Sequence, residues 1–300
     1  MKNIAKYSNH MNIIYACGLF EKTTIQAMIA NKKQLFNCPF FIAPMGVFSK
    51  GAFKQKKLKK MSFIYLCRIL HLFKNITWSL TSELEVNDFK KVMGNKKYVI
   101  ATDIPKKPIE KIVVKKKKNK GEIRIIFLSR ICITKNLKQA IDIIYNLKGN
   151  IIFDIYGTIE DQNYWDSCKK KLEDFPSNIH WQYKGEINNN KVIDTFENYD
   201  LFLFPTYGEN FGHVIYESFL GGCIPIISNT TPWRNLKKEK CGVDLPLNRE
   251  DLFIDEVQTF VDMEDGEISS WYNSSYKYAL DTYRQIVSTN NYKKIFNCNQ

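Results

Sequence analysis

The chain has 300 residues, 44% of them hydrophobic and 25% charged, with a formal net charge of +13. That length buries a sizeable core and suits two domains, and the balance of apolar and charged residues excludes a disordered chain as the default. The charge is uneven: residues 1–120 carry 25 Lys+Arg against 6 Asp+Glu, while residues 121–300 carry 19 against 25. In the first part, 12–16 and 40–43 read as strands with a helix near 23–30 between them, and 61–73 reads as a helix. Residues 76–81 form a strand pattern, followed by a helix from Ser82 with Glu85 three residues on, as in a capping box. A short strand at 99–101 closes this region. It reads as part of a Rossmann-like domain, without its opening strands or a Gly-rich loop.

Residues 105–121, with Pro105, Pro108 and the lysine run 115–118, form a charged boundary. Beyond it strands and helices alternate. Strands are expected at 124–128, 150–156, 180–183, 200–204 and 224–227, with helices at 137–147, 164–172, 191–199 and around Glu217. Buried apolar strands alternating with amphipathic helices predict a doubly wound parallel sheet, whose ligands bind beyond the carboxyl ends of the strands. Arg130, Gly157, Gly185 and Glu209 fall there. The domains expected are 1–110, a basic linker at 111–121, 122–285, and a C-terminal tail at 286–300.

The stretch 204–217 carries the most chemistry. Glu209 and Glu217 stand eight positions apart, the first after an apolar strand ending at Pro205 and the second about two turns into a helix closed by Gly221-Gly222. The amides of Asn210, Phe211 and Gly212 are expected to open that helix. A helix N-terminus suits phosphate, and Gly212, lacking a Cβ, lets an oxygen approach the backbone. Arg130 and Lys135 follow the 124–128 strand, where two fixed cations suit a diphosphate.

The Glu-x7-Glu stretch, the Arg130-x4-Lys135 pair and residues 222–233 together resemble the group 1 (family 4) retaining glycosyltransferases. Residues 43–53 and 81–85 are similar to segments of that family's acceptor domain. The resemblance implies an α/β fold of two Rossmann-like domains (GT-B), the N-terminal one incomplete. It implies transfer of a sugar from a nucleoside-diphosphate sugar to a hydroxyl, with retention. The catalytic set is then Glu209, Arg130 and Lys135. Donor contacts come from Arg130, Lys135, Lys184, Gly185, Glu209, Asn210, Phe211, Gly212 and Glu217, with Glu217 on the ribose, Glu209 on the sugar, and Lys184-Gly185 lining the base. His213 contacts phosphate or merely caps and packs. Family members often carry a histidine after the strand matched here by 13–16, and this chain has Cys17-Gly18-Leu19-Phe20 instead.

No Asp-x-Asp, Gly-x-Gly-x-x-Gly or P-loop pattern occurs, which speaks against a metal-dependent transferase, a dehydrogenase or an NTPase; neither metal nor cofactor is expected. Eight cysteines without a Cys-x-x-Cys pair, and no signal peptide, read as reduced thiols in a cytoplasmic protein. Lys54, Lys56, Lys57, Lys59 and Lys60 precede an apolar helix too polar to span a bilayer. They read either as an anionic-membrane contact, making the protein peripheral at the inner face, or as a solvated basic turn. No reader motif for nucleic acid accompanies the lysines. The expected acceptor is a lipid-linked or polysaccharide precursor. The alternative is a non-catalytic nucleotide-sugar-binding remnant, or a half-enzyme completed by another chain.

Overall fold

In the computed structural model, which describes residues 11–49, 51, 53, 56–109, 115, 117–289 and 291–296, the apolar runs assemble into two all-parallel sheets. Each sheet belongs to its own unit, one made of the described residues of 1–103 and 289–300, the other of 104–288. Parallel neighbours need crossover connections, which helices supply except between the strands Ile224–Ser228 and Val243–Leu245, where a loop over 229–242 does.

The first unit carries β1 (Ile14–Cys17), α1 (Lys22–Lys32), β2 (Phe40–Ala43), α2 (Lys57–Ile69), β3 (Ile76–Leu80), α3 (Glu83–Met93) and β4 (Tyr98–Ile100). Its strands lie in the order β1-β2-β3-β4, with Phe40 opposite both Ile14 and Ile76. Trp78 and Phe89 are fully buried at its centre, their rings 5.1 Å apart.

The helix expected at 61–73 begins earlier and ends earlier, as α2. Its lysines 57, 59 and 60 therefore lie in the first helical turn rather than in a turn before it. It stops because His71 adopts φ +53°, which lets Leu72 N donate back to Cys67 O at 2.9 Å. Lys54 lies outside the described residues. The capping box forms by half. Ser82 Oγ accepts from Glu85 N at 3.2 Å, but the Glu85 carboxylate accepts from Thr81 N (2.8 Å), Thr81 Oγ1 (2.9 Å) and Gly46 N (2.7 Å) instead.

The second unit carries β5 (Glu122–Leu128), α4 (Leu137–Tyr145), β6 (Asn150–Tyr156), α5 (Gln162–Glu173), β7 (Ile179–Gly185), α6 (Val192–Phe196), β8 (Leu201–Phe204), α7 (His213–Leu220), β9 (Ile224–Ser228), β10 (Val243–Leu245), α8 (Glu250–Asp262) and α9 (Asp265–Ser288). The strand order β10-β9-β8-β5-β6-β7 runs outward in both directions from the β5–β8 pair. That pair is the topological switch point, and the crevice beyond its carboxyl end is where such sheets bind ligands. At the opposite end Asp200 locks the two strands together. It accepts from Arg124 N (2.8 Å), Nε (2.9 Å) and Nη2 (2.7 Å), and from Tyr272 OH (2.7 Å).

Two boundaries differ from the sequence reading. The expected linker is partly built into the second unit: Lys115 Nζ donates to Phe196 O and Tyr199 O, and Lys118 Nζ donates to Asn119 O, Val261 O and Met263 O. Phe196 O, Tyr199 O, Val261 O and Met263 O lie in or just past the last turns of α6 and α8, where carbonyls lack their i+4 partners and the helix end attracts cations. Residues 111–114 and Lys116 lie outside the described residues. The expected tail splits: α9 runs on to Ser288, and α10 (Tyr292–Phe296) joins the first unit. Ile295 is buried there with Phe41 and Ala101, and Asn291 Nδ2 donates to Ile100 O at 2.7 Å. Among the described residues no helix is long and apolar enough to cross a membrane.

Candidate active site

At the carboxyl end of β5 the chain makes a short 3-10 turn, Ile133–Lys135, and then Asn136 takes φ +59° before α4 starts. That turn is tied to the end of β8. Asn136 Nδ2 donates to Pro205 O at 2.8 Å, and Tyr207 N donates to Thr134 O at 3.0 Å. The two loops at the switch point are therefore joined, and Lys135 meets Glu209 across them. Lys135 Nζ stands 2.6 Å from Glu209 Oε1, with the side chains only 14% and 12% exposed. The ammonium also lies 5.7 Å from the centre of the Phe204 ring. A charge-assisted bond this short, in so little water, holds both groups in one geometry.

The loop from 205 to 212 is clamped from a third strand. Thr206, fully buried, accepts at its carbonyl from Ser228 Oγ (2.5 Å) at the end of β9 and from Thr230 Oγ1 (2.9 Å) just past it. Its own Oγ1 lies 3.2 Å from Glu209 Oε1. Trp233 Nε1 donates to Phe211 O at 2.6 Å, and the two rings pack at 5.2 Å. Gly212 has φ +81°, and a Cβ there would sit 3.3 Å from both Glu209 Cβ and Trp233 Nε1. The glycine thus serves the turn and the packing beside Glu209.

α7 opens at His213 with Gly212 as its cap, later than expected, because the left-handed glycine breaks the helical run. Ile215 N and Tyr216 N both donate to Gly212 O, at 2.9 and 3.2 Å. Glu217 is therefore one turn into the helix, not two. Burial raises its pKa, against the pull of Lys106 and His213. Among the described residues its carboxylate takes no side-chain hydrogen bond or ion pair. His213 itself packs its ring 4.8 Å from Phe211.

The remaining expected residues lie around this centre without joining it. Arg130 Nη1 is held by Glu160 Oε2 at 2.6 Å on the surface, not by the Lys135–Glu209 pair. The strand pairing explains this: a bridge between Ile131 and Ile159 carries Glu160 alongside. At Gly157 (φ +138°) a Cβ would lie 1.8 Å from Ser129 O, so only glycine lets the two strand ends approach this closely. Lys184 and Gly185 end β7, the edge strand. Lys184 Nζ is 2.5 Å from Gln182 Oε1 and 3.7 Å from Asp154 Oδ2, and Gly185 O accepts from Gly157 N at 2.8 Å. Asn210 lies in the clamped loop, partly buried.

Sequence reasoning passed over Thr206, Ser228 and Thr230 as working parts, and gave Asn136 and Trp233 no role. The available signal was the small hydroxyl residues at, or two positions past, the ends of β8 and β9, where side chains bond to neighbouring loops. The whole arrangement can exchange partners. A phosphate oxygen arriving at the switch point competes with Glu209 for Lys135, and Glu217 stands ready to accept from hydroxyl groups.

The family model of the glycosyl transferases group 1 matches residues 108–274. No curated protein matches the chain. Among solved structures, Alr3699/HepE of Anabaena, crystallised in complex with UDP and glucose, superposes with a TM-score of 0.67 at 14% identity, over 96% of this chain and 80% of that one. TarM of S. aureus superposes with a TM-score of 0.67 at 12% identity, over 99% of this chain and 57% of that one. WaaG, a glycosyltransferase involved in lipopolysaccharide biosynthesis, does so with a TM-score of 0.56 at 13% identity, over 89% of this chain and 95% of that one. At these identities the likeness is one of fold, two Rossmann-like units of the GT-B kind.

Proposed function

The chain belongs to the group 1 glycosyl transferases, and from that premise we propose that it moves a sugar from a nucleoside-diphosphate sugar to a hydroxyl, with retention at the anomeric carbon. The observation that carries this reading is the Lys135–Glu209 contact at the switch point of the second sheet, with the Glu217 carboxylate, unbonded among the described residues, one turn into α7.

The bond from the anomeric carbon to the diphosphate oxygen breaks, and the nucleoside diphosphate leaves with the electron pair. Its developing charge is met by Lys135, and by Arg130 once that guanidinium turns from Glu160. Glu209, released from Lys135, faces the sugar hydroxyls together with the 210–212 backbone. Glu217 accepts from the ribose, and Lys184-Gly185 borders the base. The acceptor hydroxyl attacks from the face the diphosphate leaves, and its proton passes to the departing phosphate oxygen. Side-chain cations carry the phosphate charge in this scheme, so no divalent metal is required. The acceptor is a lipid-linked or polysaccharide precursor.

HepE, with UDP in its crystal structure, makes uridine diphosphate the first probe. Calorimetry in the presence of a chelator is expected to show binding, weakened in Lys135→Ala by about 1.5–3 kcal/mol, as for loss of a charged hydrogen bond. Glu217→Gln also binds the nucleotide less well. Glu209→Gln frees Lys135 from its partner, so nucleotide affinity holds or rises while transfer from the sugar nucleotide collapses. Parent-like affinity in Lys135→Ala overturns the site. Firm donor binding without turnover on any lipid or glycan acceptor favours the donor-binding or half-enzyme alternative.

A further inference from the structure

Between residues 22 and 82 the chain holds 11 Lys+Arg and no Asp or Glu. α2 lies in the middle of this stretch. At 100° per residue, Lys60, Phe63, Ile64 and Cys67 share one face, and Ile64 and Cys67 are buried in the core of the first unit with Phe63 packed beside them. The opposite face of a surface helix is ordinarily polar. Here it is a ridge of Leu58, Tyr65 and Ile69, which are 84%, 65% and 54% exposed. Met61 and Leu66 widen it, and both are exposed as well. Lys59 stands on one shoulder of the ridge, and Lys57 and Arg68 stand on the other. Single exposed apolar side chains need no explanation, but a continuous ridge over three turns does.

We propose that α2 is a docking surface for an anionic phospholipid bilayer. Leu58, Tyr65 and Ile69 enter the boundary between headgroups and acyl chains, while Lys57 and Lys59 lie among the anionic headgroups. An apolar ridge with cationic shoulders is the arrangement of a helix lying in a membrane plane. Charge complementarity selects this occupant. A second copy of the chain, paired about a two-fold axis, sets the same lysines against each other with no carboxylate on the helix to relieve them. A neutral apolar groove leaves the lysines without counter-charge. The attraction of the shoulders is short-ranged and screened by salt, and the ridge makes it specific for a surface with an apolar interior. The inference is independent of the donor site, which lies in the other unit.

The test is co-sedimentation of the full chain with vesicles of phosphatidylcholine alone, and of phosphatidylcholine mixed with phosphatidylglycerol. The parent is expected to bind the mixed vesicles at low salt and to ignore the neutral ones. The triple variant Leu58→Gln, Tyr65→Gln, Ile69→Gln should partition roughly tenfold less or weaker still, since three apolar insertions are removed. The double variant Lys57→Gln, Lys59→Gln should also bind less, and added salt should mimic it in the parent. All replaced side chains are exposed, so both variants should keep the parent's thermal melt and its uridine diphosphate affinity. Parent-like partitioning of the triple variant overturns the proposal. So does equal binding to neutral vesicles. A concentration-dependent dimer that the triple variant abolishes, or an acidic protein bound through this face without vesicle binding, assigns the ridge to protein and overturns it too.

Discussion

Glu209 and Glu217 are eight residues apart and their surroundings differ in kind. The first is neutralised by Lys135 at 2.6 Å and lies within reach of Thr206 Oγ1. The second is desolvated, with no cation in contact among the described residues, and its pKa is raised from the usual 4.5. The sign of the stability effect follows. Between that value and the raised one the folded state binds more protons than the unfolded state, so the contribution of Glu217 to stability falls as pH rises through that window. A carboxylate that weakens the fold at neutral pH is expected where a ligand supplies the missing hydrogen bonds. Glu217→Gln should therefore melt at or above the parent temperature at pH 7, lose that advantage in acid below the window, and bind uridine diphosphate more weakly. Scanning calorimetry across pH checks it, and a variant that loses stability as well as affinity at pH 7 contradicts it. The identities of Lys135, Glu209 and Glu217 were legible as sequence spacing. The surface pairing of Arg130 with Glu160 was not, because it depends on the parallel register that sets Ile131 beside Ile159.

Helices and strands were legible in type more than in extent. β6 and β2 keep the bounds read from their apolar runs. α2 and α7 shift because left-handed residues at His71 and Gly212 decide where a helix can stop or start, and only the glycine advertises that choice in sequence. Beyond residue 228 no element was anticipated, although β10, α8 and α9 lie there. The lysine run near 115–118 makes the same point about context. Lys118 is buried with three carbonyls around its ammonium, and its amide donates to Asp265 Oδ1 at 2.9 Å. Lys117 beside it is exposed. Lys118→Met is expected to destabilise the second unit by about 1–3 kcal/mol, the penalty for unsatisfied buried partners. Lys117→Met should stay within about 0.5 kcal/mol of the parent, as for an ordinary surface change. Urea unfolding followed through the tryptophans decides it, and equal midpoints for the two variants would show that the run is only a solvated linker.

At the scale of the molecule, the last described helix is foreign to the unit that precedes it. α10 leaves the second unit and completes the outer layer of the first, where Ile295 meets Phe41 and Ala101, and Tyr292 lies 6.3 Å from the Tyr15 ring. Ile295→Ala is expected to cost about 2–5 kcal/mol, the usual range for an emptied buried site. The loss should fall on the first unit, so hydrogen exchange should accelerate in β1 and β2 and stay unchanged in β5 and β8. Acceleration spread evenly over both units, or confined to the helix itself, refutes that role. What the sequence by itself determined is whatever local spacing encodes. Apolar runs separated by amphipathic helices set an α/β chain of two Rossmann-like parts, and the carboxylates and cations following particular strands set the chemistry of the proposed donor site. The tertiary structure alone decided which of those groups meet. Strand order brings the loops after β5 and β8 together and leaves Arg130 outside, helix ends recruit Lys115 and Lys118, and the packing of α2 turns one apolar face inward and leaves the other in water. Pairings of this kind join residues tens of positions apart, and no local pattern records them.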